Sequence, residues 1–176
     1  AKIPCGTQLQ STKVITRLAM LEKTLIQRLE KKSKAVNALL QENNYSWEET
    51  TYQWLAKGFG FKTNADHMLT LAASVPSKVL RKHNQLYQYE ALLFGASGLL
   101  NVDFEDEYPR KLKKEYLFLK DKYNIQERIG YNQWNFSGVR PPNFPTIRIA
   151  QFAALLFKFQ NLFSLFTEFS DAQTLI

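Results

Sequence analysis

Residues 46–64 read SWEETTYQWLAKGFGFKTN, and their spacing marks a helix with both ends signposted. Ser46 followed by Glu49 forms a capping box: the serine oxygen accepts the amide hydrogen three residues on, and the glutamate reaches back. Trp47, Trp54 and Leu55 supply the apolar surface of this helix. Gly58 or Gly60 ends it, and Asn64 is placed to cap the helix that follows.

Working outward, the same helical period appears on both sides. Upstream, Ser11 to Asn43 reads as one long amphipathic helix. Val14, Leu18, Leu21, Leu25 and Leu29 recur at three or four residues, and Val36, Leu39 and Leu40 resume the stripe. Downstream, Met68, Leu69, Leu71 and Ala72 are buried positions of a third helix, which Pro76 breaks. Leu86 to Leu93 is apolar and helical, with Glu90 inside it, and it runs into the glycines of GASG at 95–98. The acidic DFEDEYP, residues 103–109, is an exposed connector. Arg110 to Tyr123 forms a further helix with Leu112, Tyr116, Leu119 and Tyr123 on one face. After an irregular stretch whose Trp134 and Phe136 turn inward, a last helix begins near Pro145, with Ile149, Phe152, Ala153 and Leu156 on its core face. Leu162, Phe163, Leu165, Phe166 and Phe169 extend an apolar C-terminal segment. Seven or eight helices, without repeats or a long linker, predict an all-α fold in a single domain over 1–176. Seven Gly in 176 residues are too few for an all-β fold rich in tight turns.

Composition bounds the function. Apolar residues make up 45% of the chain, which excludes a disordered composition. The formal charge is +7, carried by the two ends: residues 1–60 hold 9 basic and 5 acidic side chains, 61–110 hold 5 and 6, and 111–176 hold 9 and 5. Such a balance attracts nucleic acid and anionic surfaces without specificity, and a solvated basic surface is the preferred account of it. Cys5 is the single cysteine, so an intrachain disulfide is excluded and a reducing, cytoplasmic setting is expected. The most apolar stretch, Ile147 to Phe166, is interrupted by Arg148, Gln151, Lys158, Gln160, Asn161 and Ser164, so no membrane partner is expected.

Chemistry-bearing patterns are sparse. His67 and His83 stand sixteen residues apart in no ligand spacing, and neither a metal nor any other cofactor is expected. GASG lacks the pattern of a phosphate-cradling loop, so its glycines are read as allowing close helix contact or a turn. Lys111, Lys113 and Lys114 open a basic run that suits phosphate contacts, against which stand the acids immediately before it. Glu90 sits in an apolar segment, where ionisation is costly without a partner. In VRPPNFPTIRIAQ, residues 139–151, Pro141 and Pro142 impose an extended approach and Pro145 suits a first helical turn. Arg140 is held by that stiff segment. Arg148 lies in the first turn, where the helix dipole does not favour a cation, so an acidic partner or an anionic ligand is expected beside it. Glu90 is therefore expected to pair with Arg140 or Arg148, with Gln151 alongside, as a structural ion pair or a functional cluster.

Taken in order, WEETTYQWLAKGFGFKTN, EALLFGASGLL and RPPNFPTIRIAQ resemble segments in the C-terminal part of a bacterial family, the domain of unknown function 2851. The resemblance implies that the chain is the C-terminal portion of a longer protein with an N-terminal region missing. It carries over no reaction and no catalytic residue. Three functions are set against each other. The first is a non-catalytic binding or accessory module that contacts a protein partner or its own missing N-terminal region through an exposed apolar patch. The second is a nucleic-acid-binding module, resting on the basic charge. The third is an enzyme acting on an anionic or phosphate-bearing substrate, which requires Glu90 and Arg140 or Arg148 to line one open pocket. The first is preferred.

Overall fold

The computed structural model describes residues 6–160, with side chains described from Val14 onward. Cys5 and the apolar residues between Leu162 and Phe169 lie outside the described residues. Every regular element among them is helical: α1 (Gly6–Glu42), α2 (Trp47–Phe59), α3 (Ala65–Ser74), α4 (Ser77–Leu80), α5 (Leu86–Ala96), α6 (Glu107–Tyr123) and α7 (Pro145–Lys158), with short 3₁₀ turns at Tyr131–Gln133 and Pro141–Asn143. The all-α reading holds. None of the described helices is long and apolar enough to cross a membrane.

The chain divides into two units, residues 1–44 and the body from Tyr45. In the first, α1 is a 37-residue helix, about 55 Å long at 1.5 Å per residue. Its stripe is exposed from Val14 through Leu29.

In the body, α5 is the central strut, with α6 and α7 packed on it, while α2 pairs with α3. The segment LYQYEALLFGA is apolar nearly all round, which is the pattern of a helix covered on most sides. Gly95 allows that cover. A Cβ there would fall closer than 3.0 Å to the Tyr116 ring of α6, so only glycine lets the two helices meet. Tyr116 in turn donates its hydroxyl to Glu127 at 2.9 Å, and Lys120 donates to the same oxygen at 2.8 Å. Burial and the neighbouring carboxylate raise the Tyr116 pKa. Burial pushes the Glu127 carboxyl up, but the hydrogen bonds from Lys120 and Tyr116 prevail and hold it below its ordinary value.

The quoted segment 46–64 folds with its expected ends and an unexpected face. Ser46 Oγ accepts from the Glu49 amide at 3.3 Å. The return half of the capping box is absent, because the Glu49 carboxylate is engaged elsewhere. It accepts from the Ser77 amide at 3.0 Å and the Ser77 hydroxyl at 2.7 Å, capping the start of α4 instead. Glu48 pairs with Arg81 at 2.6 Å, so both acids join α2 to α4. Trp47 is exposed, and the buried face of α2 is carried by Thr50, Tyr52, Gln53 and Ala56. Tyr52 sets that phase: its hydroxyl donates to Val75 O at 2.8 Å and its ring stacks on Phe152 of α7 at 5.7 Å. The acidic connector is shorter than expected. It ends at Asp106, and α6 already includes Pro109, which a first helical turn tolerates.

Candidate functional site

Two concavities each hold one of the candidate site residues, Arg140 in the first and Glu90 in the second, and they share no lining residue. The first is a cleft of about 340 Å³ between the α2–α3 turn and the segment that enters α7, with Phe61, Lys62 and Thr63 on one wall and Gly138, Val139 and Arg140 on the other.

Local sequence builds both walls. α2 ends at Gly60, whose hydrogen is needed because a Cβ would run into the Asn64 carbonyl. Phe61 then takes a left-handed backbone, φ 53°, and is 51% exposed. That conformation costs a non-glycine residue roughly 1–2 kcal/mol. On the far wall, Pro145 starts α7 as expected, whereas Pro141 and Pro142 open a 3₁₀ turn and the extended approach is confined to Arg140 before them. One buried side chain clasps the walls together. Asn64 donates from Nδ2 to Asn135 O at 2.9 Å and accepts from Asn135 N at 3.0 Å. It makes no side-chain cap to α3, contrary to expectation, because both ends of its amide are spent on residue 135. Asn64→Ala is expected to cost about 1 kcal/mol, at the low end for two lost hydrogen bonds, since Asn135 is exposed and water can replace them. Chemical denaturation would read this as a lower midpoint with an unchanged slope.

The ion pair expected between Glu90 and Arg140 or Arg148 is not formed; none of the described salt bridges contains any of the three. Arg148 instead donates to Gln151 Oε1 at 2.7 Å, and its guanidinium lies over the Phe61 ring at 4.0 Å and the Phe59 ring at 5.8 Å. Aromatic faces thus take the place of the expected carboxylate. Its Nε is buried and has no hydrogen-bond partner. Arg140 is exposed on the cleft wall, and its side chain has no ion pair or hydrogen bond among the described residues.

Glu90 belongs to the second concavity, an apolar groove of about 300 Å³ whose lining includes Phe94, Leu100, Phe104, Tyr108 and Ala150. It accepts a hydrogen bond from the Tyr108 hydroxyl of α6. Burial first, and then the Glu90 hydrogen bond and charge, push the Tyr108 pKa up to about 12. Helix geometry explains the separation of the acid from the arginine. Thr146 and Ala150 of α7 line the Glu90 groove, while Arg148, two residues from each, is turned about 200° away at 3.6 residues per turn.

The other candidates are occupied or solitary. Lys111 pairs with Glu107 at 2.8 Å, one turn away, and Lys113 reaches Val102 O at 3.5 Å; Lys114 is exposed. The local acids thus engage part of the basic run. His67 rests against Trp134 at 5.7 Å, and His83 meets Tyr123 edge-on at 5.6 Å, with burial lowering the His83 pKa. No group of three or more His, Cys, Asp or Glu side chains converges in metal-binding geometry among the described residues.

A family described as a protein of unknown function, DUF2851, matches residues 1–176, the whole chain. The chain belongs to the DUF2851 family. No curated protein and no solved structure matches it. Membership brings no activity with it, so any role for this DUF2851 chain has to come from its own surfaces. Phe61 was not among the residues singled out in the sequence. The signal that points to it is local: a phenylalanine stands directly after Gly60, in the left-handed position where helices usually place glycine.

Proposed function

We propose that this DUF2851 chain is a non-catalytic helical binding module that docks a protein partner along α1. The observation that carries this reading is the exposed apolar stripe of that helix. Leu18 is 60%, Leu21 59%, Leu25 57% and Leu29 65% exposed, and Val14, Ile15 and Ile26 flank them. Leucines at three- and four-residue steps are the anchors by which an amphipathic helix seats in a groove. Scattered single apolar residues are ordinary on a surface, but a continuous stripe of this length marks an interaction face. Lys13, Arg17, Lys23, Arg28, Lys31, Lys32 and Lys34 outnumber Glu22, Glu30 and Glu42 along the same helix. An acidic rim on the partner therefore complements it, and a second antiparallel copy would meet like charge.

A photo-reactive residue placed at Leu21 is expected to crosslink in cells to one protein whose contact face is acidic around an apolar groove. Leu18→Ser with Leu25→Ser is expected to remove that crosslink while leaving the helical circular dichroism intact. Failure of probes at 18, 21 and 25 to crosslink any protein would overturn the assignment.

A further inference from the structure

The Phe61 cleft combines four features that packing alone does not call for. Phe61 holds a left-handed backbone conformation that glycine would adopt without cost, yet it presents a large ring to solvent rather than to the core. One face of that ring is covered by the Arg148 guanidinium. Lys62 and Arg140 line the cleft beside it without a counter-charge among the described residues, and none of the residues described as lining the cleft is acidic. The amide hydrogens of Lys62 and Thr63 find no backbone acceptor among the described residues, whereas those of Gly60 and Phe61 are spent on the end of α2. A strained backbone at a half-exposed position points to function, and the described contact of this ring is with Arg148 and not with the apolar core.

These features specify a ligand. Two unpaired cations and two unspent amide hydrogens ask for a multiply charged anion, and α7 adds its positive end just beyond Asn143. A half-exposed ring that lines the cleft and is backed by a guanidinium suits a planar group, since aromatic side chains hold unpaired bases by stacking. We infer that the cleft binds a nucleoside phosphate, with the base stacked on Phe61 and the phosphate held between Lys62 and Arg140. The ligand is a free mononucleotide or one unit of a single strand, since both present the same base and phosphate. Arg148 is a positioning residue here: it fixes the plane of the ring without needing to touch the ligand.

Titration of the full chain at low salt, followed through the amide signals of Lys62, Thr63 and Gly138, tests this with four probes: adenosine monophosphate, adenosine, inorganic phosphate and a short single-stranded oligonucleotide. The monophosphate is expected to shift all three signals and to bind more tightly than adenosine or phosphate alone. Affinity that rises with oligonucleotide length identifies a strand as the natural ligand, and affinity that does not rise identifies the mononucleotide. Phe61→Gly, which suits the backbone at 61 though it uncovers the Arg148 guanidinium, is expected to keep the helical circular dichroism and to weaken monophosphate binding about tenfold, the scale of one lost base–aromatic stack. Arg140→Gln is expected to weaken it and to flatten its salt dependence. The inference is overturned if neither nucleotide probe shifts these signals, if phosphate binds as tightly as the monophosphate, or if either variant binds like the unmodified chain.

Discussion

Gly95→Ala is expected to lower the melting temperature by roughly 4–8 °C, the shift that ~2 kcal/mol produces in a chain of this size. The added methyl would lie inside the contact distance of the Tyr116 ring. The ring cannot step aside, because its hydroxyl is tied to Glu127 and its body is buried in the α5–α6 seam. Either α6 moves away from α5 or Tyr116 leaves its rotamer. Overpacking of this kind costs up to ~3 kcal/mol and occasionally more. Alanine gains back at most ~1 kcal/mol of helix propensity over glycine, so the clash wins. A double-mutant cycle with Tyr116→Leu isolates the cause. The pair is expected to be less destabilised than the sum of the single changes by more than 0.5 kcal/mol, roughly the scale at which contacting residues couple. Additive effects would place the cost elsewhere.

Phe152→Ala is expected to be worse, at about 3–5 kcal/mol, the cost of deleting a fully enclosed aromatic side chain. Phe152 has no exposed surface and lies where α7 meets α2, against Tyr52 at 5.7 Å and Phe59 at 5.1 Å. Its neighbours are themselves held, Tyr52 by a hydrogen bond to Val75 O, so the cavity has little freedom to collapse. Burial and the charge of Glu49 raise the Tyr52 pKa, and the hydroxyl stays a donor at physiological pH. Calorimetry that showed a loss below 1 kcal/mol would mean that α7 does not pack in this position.

Much of this architecture is legible in the sequence because it is local. The three prolines of 141–145 locate the start of α7, the four apolar residues from Ile149 to Leu156 locate its buried face, and the GASG glycines mark close contact at Gly95 and a positive φ at Gly98. What escapes the sequence is partnership at a distance. α2 offers two plausible apolar faces, and tyrosine prevails over tryptophan because its hydroxyl finds Val75, which no local spacing reveals. Glu49 satisfies the capping pattern, yet α4 arrives 28 residues later with a better use for it. Glu90 and the arginines look like partners by charge alone. Glu90 faces the side of α7 that carries Thr146 and Ala150, Arg140 lines the other cleft, and Arg148 turns away to lie over the Phe61 ring. The exposed stripe of α1 is visible as a pattern in the sequence, but its exposure is not.

The Asn64 clasp also has a consequence in time. Its two hydrogen bonds join positions 71 residues apart, so a large loop must close before they form. During synthesis the Phe61 wall is made early, and Asn64 waits without its partner until residue 135 has left the ribosome. Contacts of such long range are among the slower ones to establish. The cleft is therefore a late product of folding, and its completion reports that the α7 end of the chain has reached the α2–α3 end.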